Sequence, residues 1–471
     1  MTVTKSSPPA GISARGRRKA FVGATSGHLI EWYDYGIYGF LAVYMGQAFF
    51  SSASPTVALI SSFATFALSF FVRPLGGLVF GPLGDRIGRQ RTMALVMFLM
   101  AGSTFTIGLL PTYETVGFLA PALLIFARCV QGLSAGGEIG TVTTFIAEYA
   151  GPKRRGFSTS LLMMTAVLGL MVGSIVANGM TAVFGTEFMQ EWGWRIPFLI
   201  AGPLGLIAAY IRSKLEDSPE FKALAHSGHT EKQPLKALMS WKRSLLLVAG
   251  CITLLASLFY MVLTYVSTYL TTILGFDNTT RFWFVMIAAG TAAVLMPLGG
   301  MFTDRFGRKN FLIATSIMAI GSFAWFFFSA PGATPAEFFW PLMACAASLG
   351  LYASTPYAVM SDLFPTNVRA SGISLAYNIP IAVFGGSAPL IASALISGTG
   401  NISSPAWFFI TTAVISLIAV CIISPRDYQR VEEANLELKQ KIADSQDTPA
   451  DAQSAFAATE QKQPVVRQRI G

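Results

Sequence analysis

Charge is scarce in this 471-residue chain: Asp, Glu, Lys and Arg make up 12% of it, about half the share of a soluble domain. That scarcity excludes a soluble enzyme and a disordered polymer, both of which keep charge at their surface. Only three histidines and four cysteines occur. Cys129, Cys251, Cys345 and Cys421 lie in apolar stretches without metal-ligand spacing, so they read as inert core residues. No Gly-x4-Gly-Lys-Ser/Thr phosphate loop is present, which argues against an ATP-driven pump. No nucleophilic triad stands out either. The expectation is therefore a protein that is not an enzyme and carries neither metal nor cofactor. The net charge of +9 would suit a nucleic-acid partner, but the placement of the basic residues points elsewhere.

Apolar residues fill the space that charge leaves, at 53%. A membrane span needs roughly 20 mostly apolar residues. Twelve such segments are found, at about 20–48, 57–80, 92–110, 118–147, 157–184, 194–213, 244–273, 282–303, 311–329, 336–361, 370–398 and 406–424. Segments this apolar satisfy their backbone in lipid only as helices. The first lacks a small-residue cleavage site and reads as a retained span.

With the N-terminus in the cytoplasm, 29 of the 33 basic residues fall in inner segments. The remainder are Arg73, Arg128, Arg195 and Arg281. The positive-inside rule then puts both termini in the cytoplasm, and the high isoelectric point becomes a topological signal facing anionic lipid. The expected location is a bacterial inner membrane. The chain divides into a cytoplasmic tail at 1–19, six helices over 20–213, a polar loop at 214–243, six helices over 244–424 and a cytoplasmic tail at 425–471. In that last tail Tyr428, Val431, Asn435, Leu438 and Ile442 recur at alternating spacings of three and four. The spacing fits a short coiled coil with a buried Asn, but two heptads are few, and a solvated amphipathic helix fits better.

Two loops repeat. Gly81-Pro82-Leu83-Gly84-Asp85-Arg86-Ile87-Gly88-Arg89 follows the second span, and Gly300-Met301-Phe302-Thr303-Asp304-Arg305-Phe306-Gly307-Arg308 follows the eighth. A second pair keeps the register: Glu148 and Arg155 after span four, Asp362 and Arg369 after span ten. Duplicated six-helix halves with a site between them are a transporter architecture. Asp and Arg at helix ends pair with dipoles and with each other, so Asp85, Arg86, Arg89, Glu148, Arg155, Asp304, Arg305, Arg308, Asp362 and Arg369 are expected to form an inner gate. Arg73, eight residues before Gly81, and Glu138, toward the cytoplasmic side of its span, are candidates to brace it, with substrate binding an equal alternative for Glu138. The alternative is that the basic residues serve orientation alone.

The Asp85 loop resembles the signature loop of the major facilitator superfamily. It matches at Gly81, Leu83, Asp85, Arg86, Gly88 and Arg89, and the second copy is weaker at Thr303. Further stretches resemble the metabolite:proton symporter family within that superfamily: Glu31-Trp32-Tyr33-Asp34-Tyr35, Arg73-Pro74-Leu75-Gly76-Gly77, Gly136-Gly137-Glu138 and Trp192-Gly193-Trp194-Arg195-Ile196-Pro197. The resemblance runs from about 20 to 424. It implies an all-α membrane protein of twelve transmembrane helices in two pseudo-symmetric six-helix bundles, and proton-coupled uptake of a small organic solute by alternating access. Family members carry di- and tricarboxylates or zwitterionic osmolytes, so membership leaves the substrate open.

Ionisable groups at membrane depth cost roughly 2.5–3.5 kcal/mol each on insertion scales and mark function. His28, Glu31, Tyr35 and Tyr38 share one face of the first span, with Asp34 beside Glu31. Arg128, Gln131 and Glu138 form a stripe on the fourth. Arg128 suits a substrate carboxylate, with Gln131, Tyr35, Tyr38, Tyr260 and Asn378 around it. Glu31, Asp34 and His28 are the proton-coupling candidates. A purely structural Glu31–Arg128 ion pair is the competing reading. The partners expected are a small solute, a proton and the bilayer, with no nucleic acid and no obligate protein. An organic acid ranks ahead of a proline- or betaine-like osmolyte. An efflux antiporter and a transporter-like sensor rank behind both.

Overall fold

The computed structural model describes residues 14–447, which are helical with no strand among them. Eleven helices are long and apolar enough to cross a membrane. The helix that precedes them, α1 (Ala14–Phe40), carries His28, Glu31 and Asp34 in its second half, which dilutes its apolar character. It is continued by Ala42–Phe49 and occupies the place of the first of twelve spans.

The first half continues with α2 (Pro55–Ile87), α3 (Arg89–Leu109), α4 (Leu119–Ala150), α5 (Arg155–Phe188) and α6 (Arg195–Ser213). A short helix, α7 (Pro219–His226), lies in the connecting segment. The second half holds α8 (Lys242–Tyr260), α9 (Asn278–Phe306), α10 (Arg308–Phe328), α11 (Pro335–Ala353), α12 (Arg369–Pro380) and α13 (Pro405–Ile422). After it comes α14 (Pro425–Asp447). Three spans of the second half are interrupted. The α8 span runs on through π-helical turns to Ile273, and the α11 span resumes at Pro356–Asp362. The α12 span widens at Ile381–Gly386 before Ala388–Thr399. Such turns free backbone groups at depth and recur at functional sites.

Within the first half α1 packs on α5, α2 on α4 and α3 on α6; within the second α9 packs on α11, and α8 and α10 on α13. The halves meet where α5 lies on α9 and where α12 crosses α2 and α4. The duplicated loop recurs in the backbone. Gly88 ends α2 with φ 111°, and Gly307 ends α9 with φ 91°, the left-handed side where a Cβ is strained. Each lets one helix stop and the next begin within a single residue. That turn brings Asp85 and Asp304 to the same face as α7 and α14.

A central charged cluster and a lock between the halves

Two turns of α1 and its facing helices gather most of the charge at membrane depth. His28, Glu31, Asp34, Arg73, Arg128 and Glu138 are all buried. Trp32 Nε1 donates to His28 Nε2 at 3.2 Å. An indole N–H is only a donor, so Nε2 must be the bare nitrogen and Nδ1 must carry the hydrogen. That hydrogen faces Glu31 Oε2 at 3.2 Å, with Glu138 Oε1 at 3.5 Å. Glu138 is in turn held by Arg212 Nη2 at 2.7 Å. A neutral imidazole therefore links two carboxylates, one compensated by an arginine and one not.

Asp34 lies apart from that trio. Its Oδ2 accepts from Thr104 Oγ1 at 2.7 Å, and Oδ1 has no hydrogen-bond partner. Arg128 donates to Gln131 Oε1 at 2.7 Å and to Ser69 Oγ at 3.2 Å. Its guanidinium sits 4.1 Å from the Tyr38 ring centre, and Nε is unpartnered. Arg73 lies over Tyr35 at 4.4 Å and Phe70 at 4.5 Å, with Trp32 at 5.6 Å; Nε and Nη2 are unpartnered. Among the described residues no acid forms an ion pair with Arg73 or Arg128. Two buried cations thus stand beside aromatic faces with unpartnered donors and, among the described residues, no acid within ion-pair distance.

The Glu31–Arg128 ion pair of the competing reading is not formed; Glu31 turns to His28. Arg73, expected to brace the gate, sits instead among the rings of α1 and α2. Glu138, expected there too, is occupied by His28 and Arg212. Arg212 is one of the basic residues that the sequence assigns to an inner segment. It is fully buried, and it also donates to the Ala24 carbonyl at 3.0 Å. Nothing in the sequence distinguishes it from the other basic residues that end spans. Thr104 and Ser69 carried no signal either, since hydroxyls are common in lipid-facing helices. Tyr35 and Tyr260 both pack on Phe70, with hydroxyls unpartnered. Asn378 donates to the Gly136 carbonyl across the halves at 2.7 Å and leaves its own carbonyl oxygen free.

At the loop face the halves are joined by a mirrored lock. Asp85 accepts from the Ala370 and Ser371 amides at 3.2 and 2.9 Å, at the start of α12. Asp304 accepts from the Gly156 and Phe157 amides at 2.8 and 2.9 Å, at the start of α5. Each carboxylate satisfies the orphan N–H groups of a helix in the other half. Glu148 pairs with Arg369 at 2.8 Å and Arg89 at 3.4 Å, and Arg155 with Asp362 at 2.5 Å. Arg308 also pairs with Asp362. Arg89 reaches the Thr366 carbonyl at 2.6 Å. Arg86 lies outside this set and donates to the Lys232 carbonyl. Arg305 is exposed over Phe306 rather than joined to the lock. The helix α14 lies against it, with Asn435 Oδ1 accepting from the Thr366 amide at 3.0 Å and Val431 buried. The patterned face of the tail thus packs on its own chain.

Duplicated helical halves, a charged centre and a lock between them define an integral multi-pass membrane transporter. The chain matches the Major Facilitator Superfamily over residues 24–385, and it belongs to that family. It is 36% identical over 418 residues to the glycine betaine/proline/ectoine/pipecolic acid transporter OusA of Dickeya dadantii, covering 85% of this chain and 82% of that one. It is 33% identical to the alpha-ketoglutarate permease of Escherichia coli, over 88% and 96% of the two chains. It is 32% identical to the citrate-proton symporter of Klebsiella pneumoniae, over 88% and 94%. The solved proton:xylose symporter XylE shares the fold, with a TM-score of 0.74 at 18% identity, covering 88% of this chain and 97% of that one.

Proposed function

We propose that this protein is a proton-coupled symporter that takes up a small organic acid carrying two or more carboxylates. The observation that carries this reading is the pair of buried arginines with no acid in direct contact among the described residues. Burying even one such charge is costly, and a substrate carboxylate on each returns the missing counter-charge through bidentate hydrogen bonds. Relatives named for citrate and alpha-ketoglutarate, both multivalent anions, support it.

Asp34 and Glu31 are the proton-carrying groups in this reading, and His28 orders Glu31. Tyr35, Tyr38, Tyr260, Gln131 and Asn378 shape the cavity. Asp85, Asp304, Glu148, Arg89, Arg155, Arg308, Asp362 and Arg369 hold the loop face shut, and the loop face is the cytoplasmic one, in a bacterial inner membrane. The lock opens when protonation and substrate together favour the other arrangement of the halves.

A second reading, a zwitterionic osmolyte, is supported by the aromatic walls around both arginines and by OusA. An aromatic wall receives a quaternary ammonium, while one arginine holds the carboxylate. Proteoliposomes containing the protein decide between them. Alkalinisation outside on adding citrate or alpha-ketoglutarate, with none on adding betaine or proline, is expected. A response to betaine or proline alone would replace the first reading by the second. Silence across the panel would reject both.

A further inference from the structure

The chemistry of Arg128 fixes the hydrogens of the chain of groups behind it. A guanidinium only donates, so the Gln131 atom facing it must be the carbonyl oxygen, as placed at 2.7 Å. The Gln131 amide nitrogen then points at Thr104 Oγ1, 2.5 Å away, and Thr104 must accept there. The one hydroxyl hydrogen of Thr104 is left with two acceptors: Asp34 Oδ2 at 2.7 Å and the Met100 carbonyl at 3.0 Å. It serves only one of them at a time. All four side chains are buried.

We infer that Thr104 is the positioning residue that couples the proton site to the substrate site. The inference rests on the reading of Asp34 as a proton carrier and Arg128 as a substrate group. With Asp34 ionised, the Thr104 hydrogen points to the carboxylate, and the chain Arg128–Gln131–Thr104–Asp34 runs unbroken from cation to anion. Its aligned dipoles hold Arg128 toward Asp34. When a proton binds Asp34, the new O–H donates to Thr104 Oγ1, and the Thr104 hydrogen turns to Met100. The oxygen now accepts from both Asp34 and Gln131, so the pull on Gln131 weakens, and Arg128 is released to a substrate carboxylate. Proton and anionic substrate then favour each other, which is the reciprocity symport requires.

The other groups facing Asp34 do not supply this link. On its own helix Tyr33 and Glu31 lie nearby, and Glu31 is engaged by His28. From α4 come Arg128 itself and Glu138, the latter tied to Arg212 of α6. From α3 the contact is Thr104. The helix α5, packed on α1, has no charged residue between Gly156 and Thr186. Thr104 is thus the hydrogen-bonded bridge from Asp34 to the substrate arginine.

The test uses the full protein in proteoliposomes, with citrate and alpha-ketoglutarate as probes. Thr104→Val keeps the shape and removes the hydroxyl; Thr104→Ser keeps the hydroxyl. In the wild type the KM for the transported anion falls about 10-fold on acidification from about pH 8 to about pH 6. In Thr104→Val that change shrinks to under about 2-fold and accumulation against a gradient is lost, while substrate counterflow without a pH gradient persists. Thr104→Ser restores the pH dependence. A Val variant that keeps the pH dependence of KM and accumulates normally overturns the inference. So does one that loses counterflow along with accumulation, since that marks a structural role. A wild type silent to every probe rejects the underlying symport reading instead, and the inference falls with it.

Discussion

Arg128 makes the strongest single-residue prediction. It has a fixed partner in Gln131, a ring face at Tyr38 and an unpartnered Nε. Arg128→Gln should raise the KM for a carboxylate substrate by about 10- to 100-fold, the worth of a charge-assisted hydrogen bond to a buried anion. Initial rates of proton uptake against substrate concentration check it. Lysine is not equivalent at a forked site, so Arg128→Lys should recover only part of the loss. His28 makes a different kind of claim. Because Trp32 pins its tautomer, Trp32→Phe should lower the rate of proton-driven uptake several-fold while exchange without a proton gradient stays near wild type; equal losses in both assays would contradict the assignment.

Among elements, the starts of α5 and α12 matter most. Each is capped by an acid from the opposite half, so each cap holds the two halves together as well as its own helix. Loss of a helix N-cap costs about 0.5–2 kcal/mol, which shifts a two-state equilibrium by about 2- to 30-fold. Asp85→Asn and Asp304→Asn should therefore each raise the share of molecules open on the loop face, by similar amounts. Spin-label distances across that face measure it, and an unchanged distribution in both variants would refute the cap as a lock. Glu220 on α7 adds to the same closure, with its carboxylate at 2.8 Å from Arg369. Burial pushes its pKa up, but the Arg369 and Arg155 charges outweigh that and hold it below its ordinary value. The sign follows: its contribution is present above the ordinary glutamate range and is lost as pH falls through the lowered value. Glu220→Gln should reproduce that loosening at neutral pH in the same distance measurement.

At the scale of the whole molecule, the architecture was legible because its signals are long-range and redundant. Twelve apolar runs, a basic bias at alternate loops and a loop repeated between halves each point to the same two-bundle fold. The contacts of Asp85 and Asp304 across the halves were legible for the same reason, since a repeated Asp and Gly in matching loops serve no topological need. The centre was harder. Spacing on α1 and α4 marked the right face, but which acid meets which base depends on rotamers and helix crossings that periodicity does not encode. Arg73 and Glu138 left the gate for this reason, and Arg212, fully buried, looked like one more basic span end. Thr104 was invisible because a lone hydroxyl in an apolar helix usually bonds back to its own backbone. Here its single hydrogen has Asp34 as a second acceptor beside the Met100 carbonyl.

The central claim is that a proton on an α1 carboxylate drives uptake of an anion held by Arg128. The measurement that bears on it most directly is accumulation of citrate or alpha-ketoglutarate in proteoliposomes under an inward proton gradient, comparing wild type with Asp34→Asn and Glu31→Gln. The account predicts concentrative uptake in the wild type. It predicts that at least one of the two variants equilibrates its substrate without accumulating it, while counterflow continues. Full proton-driven accumulation in both variants would contradict it.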